Sequence, residues 1–152
     1  DRSPWSDMNK AGEGREVNRG FTAGSFDLCH AGHIRMFRDC KSVCDYLVVA
    51  VQEDPSIDRP EKNKPVMSLA ERLEIVSALK YVDEVITYRT EKDLFELLSL
   101  IPFDVRILGS DWEGKPFTGH ELPHTFYFHR RNHTFSSSEL RKRIYEAEKN
   151  SI

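Results

Sequence analysis

Cysteine is scarce in this chain. Three of its 152 residues are cysteine, Cys29, Cys40 and Cys44. An odd number of thiols, with no basic stretch and apolar core of a secretory leader ahead of them, excludes a disulfide framework and suits a reducing cytoplasm. Cys40 and Cys44 stand four apart on a predicted helix and read as small hydrophobes. A Cys-x3-Cys pair alone lacks the ligands of a zinc site. Long apolar runs are missing too. The longest, residues 46–51, falls far short of the about 20 apolar residues that cross a bilayer, which excludes membrane insertion by that segment. Basic excess is also absent: 22 Lys+Arg face 25 Asp+Glu, a net charge of −3. Binding of nucleic acid through bulk charge is therefore not expected, and any polyanion must be held at a local site. Internal repeats and low-complexity segments are lacking.

What is present is a soluble globular mixture, 39% hydrophobic and 31% charged, of a size that suits one domain. Residues 1–19 are polar, carry Gly12 and Gly14 and have no apolar period, so they read as a flexible tail or linker. Residues 20–152 read as the folded domain. Here strand-like and helix-like segments alternate. Residues 20–23 are a short strand candidate. Ile34, Phe37 and Val43 give 31–44 one apolar helical face. The β-branched run 46–51 predicts a strand buried on both faces of a parallel sheet. Ser68 with Glu71, and Thr90 with Asp93, are capping boxes that open two helices. Strands are predicted at 83–87, 104–108 and 125–128, and Ser136–Ser138 lead into a last helix. The expected fold is α/β, a Rossmann-like, doubly wound, five-stranded parallel sheet flanked by helices. In such sheets ligands bind at the carboxyl ends of the strands, where the strand order reverses. The loops near 24–33, 52–66, 109–120 and 130–138 should converge there.

The first of these loops carries the most chemistry. It reads Gly24-Ser-Phe-Asp-Leu-Cys-His-Ala-Gly-His33 and lies between a strand and a helix N-terminus. Gly24 permits a sharp turn, and backbone N–H groups at a helix start attract phosphate. His30 and His33 stand three apart around Gly32, so both imidazoles can address one phosphate group. A metal pair or two surface histidines remain open as other readings of the same spacing.

This stretch resembles the G-[ST]-F-D-x-x-H-x-G-H signature of the cytidylyltransferase family of nucleotidyltransferases. Three further segments resemble the same family in order: Arg72 with Tyr81-Val-Asp-Glu-Val-Ile86, Leu108-Gly-Ser-Asp-Trp-Glu-Gly-Lys115, and Arg131 with Phe135-Ser-Ser-Ser138. The third of these four is similar to a stretch of bacterial glycerol-3-phosphate cytidylyltransferases. The resemblance covers about residues 20–146. It implies that a phosphomonoester oxygen attacks the α-phosphorus of CTP, that pyrophosphate leaves, and that no covalent enzyme intermediate forms. The acceptor it implies is sn-glycerol 3-phosphate. A phosphoethanolamine-like acceptor, ATP as donor, or a non-catalytic nucleotide-binding module are the alternatives.

By this resemblance His30, His33, Lys62, Lys64 and Arg131 are the catalytic residues. Gly24, Ser25, Phe26, Asp27, Gly32, Phe135, Ser136, Ser137 and Ser138 join His30, His33 and Arg131 around the nucleotide. Lys64, Arg72, Asp83, Asp111 and Trp112 are expected at the acceptor. The readings without the resemblance are plainer: a solvated charge run for Lys62 and Lys64, helix capping for one serine, a surface charge for Arg72, a structural Asp83 and a sheet cover for Trp112. The sequence departs from the family at Ser110, at residues 132–134, and in the lysine loop, where the family's positions fall on Glu61 and Asn63. Mg²⁺ is expected with the triphosphate, with no dedicated protein metal site. A homodimer is expected as well.

Overall fold

The computed structural model describes residues 17–151. Nine regular elements follow one another: β1 (Arg19–Gly24), α1 (Ala31–Cys40), β2 (Tyr46–Gln52), α2 (Leu69–Ser77), β3 (Glu84–Tyr88), α3 (Glu91–Leu100), β4 (Val105–Gly109), β5 (Thr125–His129) and α4 (Ser137–Asn150). A single 3-10 turn, Ser110–Trp112, follows β4. The strands form one sheet in the order β3-β2-β1-β4-β5, and every neighbouring pair is parallel. This is the expected doubly wound arrangement. The order reverses between β1 and β4, so a crevice opens past Gly24 and Gly109.

Burial follows from the alternation of side chains across the pleat. Leu47, Val49 and Val51 of β2 pack with Phe37, Cys40, Val76 and Ile107 under α1 and α2. Tyr46, Val48 and Ala50 pack with Phe21, Leu94, Leu98 and Phe103 under α3. All seven positions of β2 are buried, which is why its sequence is a continuous apolar run rather than an alternating one. Ser68 and Thr90 cap α2 and α3 through the two expected capping boxes.

Two expectations shift. The folded unit already includes Val17, Asn18 and Arg19, which the sequence assigned to the tail. Val17 is buried, Asn18 bonds Asp45 and the Val43 carbonyl, and the Arg19 N–H donates to Asp104 at 2.8 Å. The rest of the tail expectation, 1–16, lies outside the described residues. Helix α1 stops at Cys40, four residues early, because the chain must turn at 41–43 to feed β2. The Cys44 thiol then donates back to the Cys40 carbonyl at 3.1 Å. Both thiols are buried and burial pushes both pKa values up, that of Cys44 to about 11, so they pack as unreactive hydrophobes. Finally, α4 buries no residue and leaves Ile144 and Tyr145 exposed.

Candidate active site

The β1–α1 loop is built around strained backbone. Phe26 (φ 52°) and Leu28 (φ 51°) both sit in the left-handed region, which bulky residues avoid. These two residues, not Gly24, make the turn. Gly24 is needed for room, since a Cβ there would meet the Phe26 ring at 3.2 Å. The strain is held in place from both sides. The Phe26 ring packs against Phe37 at 5.3 Å and edge-on to His33 at 5.5 Å. The buried Asp27 carboxylate accepts the N–H groups of Val66 and Met67 at 2.8 and 2.9 Å and faces Arg141 at 3.7 Å. The Ser137 hydroxyl donates to the Asp27 carbonyl at 3.2 Å. Asp27 therefore ties this loop to the end of the 53–68 loop and to the start of α4.

His30 and His33 form a capping box made of two imidazoles. The Nδ1 of His30 accepts the Gly32 N–H at 3.0 Å, and the Nδ1 of His33 accepts the His30 N–H at 3.1 Å. A ring nitrogen that accepts carries no proton, so each neutral ring bears its proton on Nε2. The rings lie 4.0 Å apart, centroid to centroid. Burial lowers the pKa of His33 to about 4, helped by His30 and opposed by Asp27. Burial also lowers His30, with His133 and Arg131 adding to it. Both rings are thus uncharged donors at neutral pH, locked in one tautomer by the helix they cap.

These rings line a cavity of about 230 Å³ together with Gly32, Met36, Gly109, Asp111, His129, Arg131, His133, Phe135, Ser136 and Ser137. The loops after β1, β4 and β5 thus converge at the switch point. Two of its histidines were not read from the sequence. His133 accepts the Phe135 N–H on Nδ1 at 3.1 Å, and its Nε2 is buried without a partner. His129 is held on Nδ1 by the Asp39 carboxylate at 2.8 Å, and its Nε2 is also buried and unpaired. Unpaired buried polar atoms in a cavity are poised for a ligand. The signal for His133 was the departure at 132–134; for His129 there was none beyond its place at the end of a strand. Phe135 stacks on His133 at 5.0 Å and lies under the Arg35 guanidinium at 5.2 Å. Arg131 is exposed and donates to the Phe135 carbonyl at 3.0 Å.

The serines divide their work. The Ser136 oxygen accepts the Glu139 N–H at 3.0 Å as the N-cap of α4, and Ser137 reaches Asp27. Ser138 instead lines a cleft with Ser25, Lys62, Ser137 and Arg141. Ser25 and Lys62 belong also to a second cavity of about 230 Å³, on the α3 face of the sheet, with Gln52, Arg59, Tyr88, Glu91, Arg106, Trp112, Phe117 and Thr118 around it. The cleft therefore joins the two cavities, sharing Ser137 with the first and Ser25 and Lys62 with the second.

Four expected acceptor residues fall elsewhere. Arg72 is fully buried, and its guanidinium donates to the carbonyls of Met67, Ser25, Gln52 and Glu53, at 3.1, 2.9, 2.6 and 2.5 Å. It pins the β1 and β2 ends through these carbonyls. Asp83 precedes β3 at the amino end of the sheet, opposite the crevice, where it accepts the Leu47 N–H and pairs with Lys41 at 2.7 Å. Asp111 lines the histidine cavity rather than the second one. Lys64 lines none of the three hollows; its carbonyl accepts from Arg141 at 2.9 Å. Trp112 and Lys62 both line the second cavity. Among the described residues no group of three His, Cys, Asp or Glu side chains is arranged to hold a metal ion, and no helix is long and apolar enough to cross a membrane.

Known proteins resemble this chain in sequence and in fold. The chain is 30% identical to the bifunctional protein HldE of Campylobacter curvus over 93% of its own length and 30% of that protein's. It is 37% identical to an FAD synthase of Thermococcus sibiricus, over 59% of this chain and 61% of the relative. The chain spans about a fifth to a third of the length of the HldE proteins it matches. A lipopolysaccharide core biosynthesis protein from Thermoplasma volcanium superposes with a TM-score of 0.56 at 26% identity, covering 88% of this chain and 90% of that one. The pantothenate synthetase of Thermus thermophilus, at 13% identity and TM-score 0.58, shares the fold over 93% of this chain and 69% of its own. The sequence profile described as cytidylyltransferase-like matches residues 21–143, and with the histidine-capped helix at the switch point it makes this chain a member of the cytidylyltransferase-like family of nucleotidyltransferases.

Proposed function

We propose that the chain transfers CMP from CTP to a small phosphomonoester, with sn-glycerol 3-phosphate as the leading acceptor. The observation that carries the reading is the pair of imidazoles fixed as Nε2–H donors at a helix N-terminus. Neutral donors aimed at a polyphosphate, together with the helix dipole and Arg131, stabilise charge without a protein nucleophile. In the step itself an acceptor phosphate oxygen forms a bond to the α-phosphorus. The bond from that phosphorus to the bridging oxygen breaks, and pyrophosphate leaves with the electron pair. The triphosphate lies against His30, His33, Arg131 and the start of α4, and the acceptor reaches it past Ser25 and Lys62. Two cavities joined by a cleft suit a reaction of two bound substrates by positioning.

Mg²⁺ accompanies the triphosphate in this reading. The donor set suits an ion held by phosphate oxygens and water rather than by a protein cage, because the Asp27 carboxylate is already engaged by Val66, Met67 and Arg141. The ion neutralises phosphate charge when bound. A homodimer is the proposed assembly, and light scattering coupled to gel filtration reads it directly.

A second reading keeps the chemistry and takes ATP as the donor. It is favoured by the relative named FAD synthase, whose product contains an adenylyl group. The test is pyrophosphate release with CTP or ATP, Mg²⁺ and a panel of phosphomonoesters. Release with CTP supports the first reading, and release with ATP alone replaces it with the second. A folded protein that releases pyrophosphate with neither nucleotide sinks both and leaves a binding module.

A further inference from the structure

A buried cation sits at the floor of the second cavity. Arg106 is only 4% exposed, in the middle of an otherwise apolar strand. One of its Nη groups donates to the Thr118 carbonyl, while its Nε is buried with no partner. It pairs in register with Phe21, three residues before Gly24, so it lies well below the rim that Ser25 and Lys62 form. An arginine buried this deeply with an idle donor is costly unless a ligand completes it.

The surroundings of Arg106 decide what that ligand is. Glu91, the one carboxylate lining the cavity among the described residues, is already held by Arg59 at 3.1 Å, by the Thr118 hydroxyl at 2.7 Å and by the Gln52 amide at 3.3 Å. The Phe117 ring, one aromatic surface of the cavity, already carries the Arg106 guanidinium at 5.3 Å. A positively charged tail would therefore meet the fixed Arg106 cation and, among the described lining residues, only a carboxylate that is already paired, so charge repulsion disfavours it. The remaining groups are neutral and already donate, the Gln52 amide to Glu91 and the Arg89 carbonyl, the Tyr88 hydroxyl to Gln52 and the Thr118 hydroxyl to Glu91, so a ligand meets their oxygens as acceptors.

We infer that Arg106 is a specificity-determining residue that receives a hydroxyl of the acceptor, selecting polyol or sugar phosphates and rejecting amino-alcohol phosphates. This rests on the nucleotidyl-transfer reading and deepens it. The acceptor phosphate stays at the Ser25 and Lys62 rim, near the nucleotide, and the hydroxylated tail descends to the Arg106 Nε–H. Phosphoethanolamine, an alternative the family resemblance left open, is thereby disfavoured.

Two measurements test the assignment. The first compares kcat/KM for sn-glycerol 3-phosphate, propyl phosphate and phosphoethanolamine in the wild type and in Arg106→Leu. Loss of a hydrogen bond to a charged group should cost on the order of 10- to 100-fold for the hydroxylated acceptor, through its KM, and leave the nucleotide KM unchanged. Equal use of phosphoethanolamine by the wild type, or equal losses for all three acceptors, overturns the proposal. The second follows the Arg106 Nε–H resonance in wild-type protein labelled with ¹⁵N-arginine, so it stands even if the variant does not fold. The resonance should shift on titration with sn-glycerol 3-phosphate and other hydroxylated phosphates, and not with propyl phosphate. A resonance that ignores every hydroxylated phosphate overturns the proposal, and so does one that responds equally to propyl phosphate. A resonance that shifts in a protein releasing no pyrophosphate upholds the Arg106 site and sinks nucleotidyl transfer.

Discussion

At the scale of single residues, the two histidines couple chemistry to stability. His33 has a folded pKa of about 4, against about 6.5 in an unfolded chain. Between those values the unfolded state binds more protons, so stability present above pH 6.5 is lost as pH falls toward 4. His30 shifts in the same direction and adds to the slope. Urea unfolding midpoints between pH 7 and pH 4.5 should fall, with up to about 3 kcal/mol attributable to His33. His33→Gln should flatten that slope, and an unchanged slope would refute the account. Gly32 supplies a sharper test. A Cβ there would meet His30 Cε1 at 2.8 Å and His133 Cε1 at 3.0 Å. Gly32→Ala should leave stability within about 1 kcal/mol of the wild type, since alanine favours a helix. Turnover should drop by on the order of tenfold, because the displaced rings no longer aim at one phosphate. Steady-state kinetics beside a thermal melt separates the two effects. The sequence made the pair of histidines legible through its spacing. It did not reveal that they cap the helix, because histidine is not a usual capping residue, nor that His133 joins them from about 100 residues away in the chain.

At the scale of elements, local signals were read well and long-range contacts were not. The capping boxes at Ser68 and Thr90 appear where the residues predicted them, because a cap needs only its own turn. Ser68→Ala should therefore cost about 1 kcal/mol in a denaturant titration while leaving turnover per folded molecule intact, since Ser68 faces none of the cavities. Asp27 behaves differently. Its carboxylate fastens the 53–68 loop to the histidine loop through two backbone N–H groups 39 and 40 residues away. Asp27→Ala should destabilise the fold by about 1–3 kcal/mol and raise the KM of both substrates, because the loop it fastens carries Lys62. A loss confined to the nucleotide would argue against that tie. The same limit explains Arg72 and Asp83. Both match family positions in sequence, yet their side chains answer to backbone groups that no local pattern exposes. Arg106 carried a visible signal, a charge inside an apolar strand, but only the packed structure shows that it faces a cavity.

At the scale of the whole molecule, the alternation of strands and helices was enough to foresee a parallel sheet, and the order β3-β2-β1-β4-β5 then fixes where ligands go. Reversal between β1 and β4 brings together loops separated by about 80 residues and opens a hollow on each face of the sheet. Most of what binds there is contributed by loops rather than by the sheet, so ligand should order the rim and stabilise the whole unit by linkage. A nucleotide present at 100 times its dissociation constant adds about 2.7 kcal/mol, which for a domain of this size raises Tm by about 10 °C. With Mg²⁺ present, CTP should raise Tm by more than ATP does at equal concentration. The opposite order would transfer the donor assignment to ATP while leaving the fold and the histidine site unaffected. Arg131→Ala should shrink the shift for whichever nucleotide binds, because its exposed guanidinium lines the histidine cavity, where it donates to the Phe135 carbonyl. A full shift in that variant would mean that the triphosphate lies outside the hollow lined by His30, His33 and Arg131.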